Sequence, residues 1–144
     1  MSTFSAATEK NIDRAMLVLR LVLAAIFIVH GYQKVFVFGF SGVTGMFGQM
    51  GVPLAPVAAP IIALLEFVGG IALLLGAFTR VVAFLLACDM LGAIILVHAK
   101  AGFPAPKGVE NVLGNLGMLI AVALLGAGAY SIDAMLARRG APTP

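Results

Sequence analysis

Four long apolar runs dominate this 144-residue chain and constrain its fold more than any other feature. They cover residues 15–37, 57–78, 81–97 and 112–129. A helix needs about 20 mostly apolar residues to cross a bilayer. A soluble domain of this length cannot bury a chain that is 62% hydrophobic and only 10% charged. The runs therefore predict an all-α integral membrane protein, a four-helix bundle with up-down-up-down topology.

The connections between the runs differ in length. Only residues 79 and 80 separate the second run from the third, so these two helices must be antiparallel neighbours. Residues 38–56 are Gly-rich and place apolar side chains at helix-like spacing between Phe40 and Met50. This pattern predicts a short amphipathic helix at the membrane interface, because the segment is too short and too Gly-rich to span. Residues 99–111 form a polar loop.

Basic residues are unequally divided between the two predicted sides of the membrane, and cytoplasmic loops favour Lys and Arg. One side holds Lys10, Arg14, Arg80, Arg138 and Arg139, and the other holds Lys34, Lys100 and Lys107. We therefore expect a polar cytoplasmic N-terminus over residues 1–14, a membrane domain over residues 15–133 and a polar cytoplasmic tail over residues 134–144. Both termini are predicted to lie in the cytoplasm.

Composition and motifs exclude several classes of function. The net charge is +3, but the basic residues form no run or stripe, so nucleic acid is not an expected partner. Cys88 is the single cysteine, which excludes an intramolecular disulfide and a dithiol centre, and we interpret it as an inert packing residue. The chain has no phosphate-binding loop, dinucleotide fingerprint or haem-attachment motif. It therefore brings no cofactor signature of its own.

Three ionisable residues, Arg20, Glu66 and Asp89, lie at bilayer depth within the apolar runs, where charge is costly unless it is paired or hydrated. By helical rise, Arg20 lies about 8 Å, Asp89 about 13 Å and Glu66 about 18 to 20 Å from the cytoplasmic side. Arg20 is expected to reach Asp89 directly, and Glu66 through a water. The group is either a structural ion pair with one protonated acid, or a site that handles protons or binds a carbonyl. Glu66 is the strongest single candidate.

A second polar cluster is predicted at the outer surface. His30 and Lys34 lie one turn apart at the end of the first run, while His98 ends the third and Glu110 begins the fourth. These side chains would share a shallow pocket under the amphipathic segment. The cluster is either a ligand-binding or proton-handling pocket, or a set of solvated interfacial anchors. Its spacing matches no metal motif, so no metal site is predicted.

Four segments of the chain form a recognisable pattern: residues 20–34 (RLVLAAIFIVHGYQK), 65–80 (LEFVGGIALLLGAFTR), the loop 98–111 and residues 126–133. In these segments the chain resembles the DoxX family of small bacterial inner-membrane proteins. The resemblance spans residues 14–133 and implies a four-helix protein whose relatives are linked to a thiosulfate:quinone oxidoreductase and to redox-stress complexes. The positions that fit the family pattern are Arg20, His30, Gly31, Lys34, Glu66, Gly69, Gly70, Arg80, His98 and Glu110. One departure is the single cysteine, so sulfur chemistry would need a partner protein or a second copy.

Three functions remain open on these grounds. The first is a redox-linked subunit in which Glu66 or the His30/His98 pair hydrogen-bonds or protonates the carbonyl of a bound quinone. A redox partner protein or a homo-oligomer would then complete the oxidoreductase. The second is a non-enzymatic membrane anchor or scaffold for a partner protein. The third is a small transporter or proton pathway through Arg20, Asp89 and Glu66.

Overall fold

The computed structural model describes residues 3–104 and 108–140, with side chains from residue 7 onwards. This part of the chain contains helices and no strands, which confirms the all-α prediction. Lys107 and the extreme ends of the two predicted tails lie outside the described residues. The helices are α1 (Thr3–Tyr32), α2 (Gly39–Met50), α3 (Ala55–Leu75), α4 (Thr79–Ala93), α5 (Glu110–Leu125) and α6 (Ile132–Arg139).

Two helical segments of the described chain are long and apolar enough to cross a membrane. They are α3 and the continuous segment Thr79–Ala101, which begins with α4, while α5 is a shorter apolar helix. The four-span topology and the cytoplasmic placement of the termini stay predictions. The polar residues before the first apolar run form the beginning of α1, and the predicted amphipathic segment is the helix α2. The tail contains α6, which the sequence pattern did not indicate.

The four longest helices pack side by side around a shared apolar core. Helix α1 packs most extensively on α3, and α4 on α5, while α3 also contacts α4 and α1 also contacts α5. The core includes Leu23, Phe27, Leu73, Leu86 and Leu119, all almost fully buried. Many large apolar side chains on the opposite faces remain exposed. A bilayer is the solvent that such faces need.

Glycines allow the backbones of α1 and α3 to approach closely. A Cβ added at Gly70 would lie 2.7 Å from the backbone nitrogen of Ile28, and one at Gly31 would collide with the backbone of Phe67. Close contact at small residues supplies much of the packing between helices in a bilayer, where the hydrophobic effect between helices is weak. This contact brings the end of α1 level with the middle of α3.

Two helices continue through π-helical turns. Residues Gln33–Val37 form such a turn directly after α1, and residues Ile94–His98 form another directly after α4. A π-helical turn accommodates one more residue than an α-helical turn, and such turns are frequent at functional sites. Here they place Lys34 and His98 at the same end of the helix bundle.

Side chains cap the helix ends at the other end of the bundle. The Asp133 carboxylate accepts hydrogen bonds from the backbone N–H groups of Phe78 and Thr79, at 2.8 and 2.9 Å, where α4 begins. The Arg80 guanidinium donates to the carbonyl of Leu124 at 3.0 Å, where α5 ends. The Asp13 carboxylate accepts from the N–H of Ala129 at 2.8 Å. These bonds satisfy backbone groups that a helix cannot satisfy by itself.

Candidate functional site

An ion pair between Lys34 and Glu66 is the centre of the candidate site. The Lys34 Nζ lies 2.5 Å from the Glu66 Oε2, and the Glu66 side chain is only 4% exposed. Glu66 stands in the middle of α3, and Lys34 lies in the π-helical turn that follows α1. The sequence pattern predicts these residues in separate clusters, Glu66 inside the apolar runs and Lys34 at the outer surface. In the structure they form one site, because the close approach at Gly31 brings the end of α1 level with Glu66.

Asp89 of α4 adds a second carboxylate beside the ion pair. It is close enough to Glu66 and Lys34 to interact electrostatically with both. Its Oδ2 atom is buried and has no hydrogen-bond partner in the described structure. A buried polar atom without a partner is costly and is rare in folded proteins. Asp89 is therefore a candidate for contact with a bound ligand or a water molecule.

A mostly apolar cavity of about 360 Å³ opens on one side of the ion pair. We call it the apolar chamber. Helix α2 contributes Phe47 and Met50 to its wall, and Asp89 lies there together with the ion pair. The other wall residues are Val52, Ile62, Cys88, Met90, Gly92, Ala93, Leu96, Val97 and His98. Small-molecule sites typically have this character, with apolar walls and a few convergent polar groups.

A second cavity of about 440 Å³ is lined by the same ion pair. We call it the polar chamber. His30, Asn111 and Asn115 line it, together with the ion pair. The other wall residues are Ile26, Phe27, Met90, Ala93, His98, Gly108 and Val112. A cavity of this size with several donors and acceptors can hold ordered water.

Arg20 lies away from this site, and the expectation that it reaches Asp89 or Glu66 is wrong. Its guanidinium is almost fully buried and donates to the backbone carbonyls of Leu73 at 2.9 Å and Leu74 at 3.2 Å, close to the end of α3. It also donates to the carbonyls of Ala127 at 2.6 Å and Tyr130 at 3.0 Å. Helix ends leave carbonyls without intrahelical partners, and the planar guanidinium satisfies several of them at once. Arg20 is therefore a structural clamp in this fold.

The remaining predicted residues divide between the chambers and the surface. His30 and His98 line the polar chamber as a pair, and His98 also faces the apolar chamber. Glu110 is exposed at the start of α5, outside the walls of both chambers. Within residues 3–104 and 108–140, no group of three or more His, Cys, Asp and Glu side chains is arranged to hold a metal ion.

Two chamber residues were not predicted from the sequence, and a third was predicted to have a different role. Asn111 and Asn115 are four residues apart on α5 and therefore share one helix face, which was a readable signal for a polar lining. Cys88 was expected to be a packing residue, but it is exposed and belongs to the wall of the apolar chamber. No sequence pattern indicated its placement, because the face of α4 that borders the chamber depends on where α2 packs.

The helical fold, its exposed apolar faces and its buried ion pair beside a cavity are features of a small integral membrane protein. The DoxX family model matches residues 15–99, and this chain belongs to the DoxX family. No solved structure matches it significantly.

Named relatives occur in several bacteria. The inner membrane protein YqjF of Escherichia coli is 34% identical over 133 residues, which cover 91% of this chain and 98% of YqjF. The uncharacterised membrane protein Rv3486 of Mycobacterium tuberculosis is 34% identical over 136 residues, 87% of this chain and 83% of that protein. CatD of Bacillus subtilis, which is provisionally named an oxidoreductase, is 38% identical over 95 residues, 66% of this chain and 68% of CatD. The relatives named as membrane proteins agree with the apolar composition.

Proposed function

We propose that this DoxX protein is a redox-linked subunit of the bacterial inner membrane that binds a quinone in its apolar chamber. The observation that carries the proposal is the Lys34–Glu66 pair at the wall of a mostly apolar cavity of about 360 Å³. The provisional oxidoreductase name of CatD agrees with a redox role. The proposal includes four membrane spans, which the four apolar runs support. It also includes cytoplasmic termini, which the distribution of basic residues supports.

Each part of the apolar chamber has a role in this proposal. The aromatic and aliphatic side chains, including Phe47 and Ile62, bind the ring and the apolar tail of the quinone. The Lys34 ammonium donates a hydrogen bond to a quinone carbonyl, and its pairing with Glu66 holds it in position. Glu66 and Asp89 exchange the protons that accompany quinone reduction.

Electrons have to be supplied from outside this chain. The sequence contains no motif for an electron-carrying cofactor, so the quinone itself carries the electrons within the bundle. A partner protein, or a second copy that associates with one, delivers or accepts them. The chain is therefore proposed as one component of an oxidoreductase.

The test is the quinone content of protein purified gently from membranes. Organic extracts of the wild type, of Glu66→Gln and of Glu9→Gln are analysed by mass spectrometry. Glu9→Gln is the matched control, because it makes the same chemical change at an exposed position near the start of α1. We expect stoichiometric quinone in the wild type and in Glu9→Gln, and its loss from folded Glu66→Gln.

Two other outcomes contradict the proposal. Quinone retained in full by Glu66→Gln would mean that Glu66 does not contribute to binding. No quinone in any of the three proteins would favour the anchoring role, and partner proteins would then be identified by co-purification.

A further inference from the structure

The apolar chamber and the polar chamber meet at one wall. The residues that both chambers share are Lys34, Glu66, Met90, Ala93 and His98. At this wall the Lys34 ammonium and the Glu66 carboxylate form a direct ion pair. The pair therefore lines two cavities of comparable size, of about 360 and 440 Å³.

The mouths of the two chambers differ in chemistry. Met50, Cys88 and Leu96 are exposed at the apolar chamber, so lipid is the medium that meets it. His30 and Asn111 are exposed at the polar chamber, and Asn115 is half-buried within it. Water therefore enters the polar chamber much more readily than the apolar one.

We infer that the Lys34–Glu66 pair is a proton-exchanging partition between a water-side chamber and a lipid-side chamber. A hydronium ion in the polar chamber breaks one of its O–H bonds and becomes water, and its proton forms an O–H bond on the Glu66 carboxylate. Protonation weakens the attraction of Glu66 to the Lys34 ammonium. The same O–H bond then breaks as the proton passes to an acceptor oxygen in the apolar chamber, and the ion pair forms again. One proton crosses the wall, and the pair ends in its starting state.

Neighbouring ionisable groups fit this route. His30 lines only the polar chamber and Asp89 only the apolar chamber, while His98 faces both. The destination of the proton, a quinone oxygen, rests on the proposed function. The partition itself does not rest on the proposed function, because it follows from the wall that the two chambers share, whatever ligand the apolar chamber holds.

The partition is tested by the reactivity of one thiol in each chamber, in full-length protein in lipid nanodiscs. Cys88 is the only cysteine and reports on the apolar chamber. Asn115→Cys, combined with Cys88→Ser, reports on the polar chamber. Each thiol is treated with a charged trimethylammonium thiosulfonate and with neutral N-ethylmaleimide. The charged-to-neutral ratio of rates corrects for differences in thiol ionisation.

We expect the ratio to be at least about tenfold higher for the thiol introduced by Asn115→Cys than for Cys88, because a charged reagent enters an apolar cavity at a large free-energy cost. Lys34→Ala removes most of one wall side chain and is expected to raise the Cys88 ratio about tenfold, because water and the charged reagent can then enter. Lys100→Ala removes an exposed lysine outside both chambers and should leave the ratio unchanged.

Three results would overturn the partition. The first is an equal ratio for the two thiols in proteins that keep Lys34. The second is a failure of the Asn115→Cys thiol to react with the charged reagent. The third is a Cys88 ratio that Lys34→Ala leaves unchanged. A protein without bound quinone would contradict the proposed function, yet it would leave these ratios as predicted. The two failures are therefore distinguishable.

The proton step is tested by infrared spectroscopy of the Glu66 carboxyl group at acid pH, with the band identified by its loss in Glu66→Gln. We expect its hydrogen–deuterium exchange to slow when the charged reagent plugs the polar chamber through the Asn115→Cys thiol. Exchange at an unchanged rate, or no carboxyl band from Glu66 at all, would contradict proton uptake from the polar chamber.

Discussion

The Arg20 guanidinium donates a 2.6 Å hydrogen bond to the backbone carbonyl of Ala127, a residue 107 positions later in the chain. Together with the bonds to Leu73, Leu74 and Tyr130, this contact ties α1 to the end of α3 and to the segment after α5. A side chain with this many backbone partners acts on the stability of the fold rather than on ligand chemistry.

We predict that Arg20→Met destabilises the protein by about 3 kcal/mol or more, because several buried carbonyls lose their donors. Thermal unfolding in detergent measures the effect, and Arg138→Met, which removes an exposed arginine of α6, is the control. On the proposed function, the fraction of Arg20→Met that remains folded should bind as much quinone as the wild type. A stable variant that has lost its ligand would instead place Arg20 in the binding site.

The Asp133 carboxylate predicts how stability depends on pH. Burial alone would raise the pKa of Asp133, but hydrogen bonds from the backbone of Thr79 and Phe78 and the nearby Arg20 charge lower it below the usual value. Because the pKa is lower in the folded state, the ionised Asp133 carboxylate stabilises the fold at pH values above its unfolded-state pKa of about 4. This stabilisation is lost as the pH falls through the folded-state pKa.

Asp133→Asn should therefore cost about 1 kcal/mol at neutral pH, because the amide keeps only one of the two acceptor oxygens and loses the charge that strengthens both hydrogen bonds. The difference between the wild type and the variant should shrink as the pH is lowered below 4, following the protonation of Asp133. Chemical unfolding in detergent across this range measures the difference. A gap that stays constant with pH would show that the charge of Asp133 contributes nothing.

Gly70 provides a test of the contact between α1 and α3. Gly70→Ala places a Cβ 2.7 Å from the backbone nitrogen of Ile28, which cannot move without shifting α1. We expect a loss of about 1 to 3 kcal/mol, as for other overpacked sites. Gly114→Ala on α5 is the control, because nothing lies within 4 Å of its added Cβ. Equal unfolding temperatures for the two variants would contradict the close approach.

The Lys34–Glu66 pair is suited to a double-mutant cycle. Removing either charge leaves the other in a largely apolar wall, so Lys34→Met and Glu66→Gln should each destabilise the fold. The double variant should recover part of the loss, with a coupling energy of about 1 to 2 kcal/mol, lowered by the partial exposure of Lys34. Additive effects in thermal unfolding would mean that the pair makes no energetic contribution.

The apolar helices could be predicted from the sequence, because apolar runs, prolines and glycines indicate helical segments by local chemistry alone, whereas α6 could not. The amphipathic spacing between Phe40 and Met50 correctly indicated α2. The family could be predicted as well, from residues 20–34 and 65–80, and the family match over residues 15–99 confirms it.

The pairing of side chains across helices could not be predicted. Heights estimated from an ideal helical rise placed Arg20 near the membrane carboxylates, but they carry no information on rotation about the helix axis. The π-helical turns at Gln33–Val37 and Ile94–His98 change that rotation after α1 and α4. Nor does the sequence pattern show that backbone carbonyls, rather than a carboxylate, would be the partners of Arg20.

The hydrogen bonds of Asp13, Arg20, Arg80 and Asp133 all lie at one end of the bundle, and both chambers lie towards the other. The hydrogen bonds that secure the helix ends are therefore made by residues that line neither chamber. A substitution in a chamber wall can in this way alter contact with a ligand without breaking any of these hydrogen bonds.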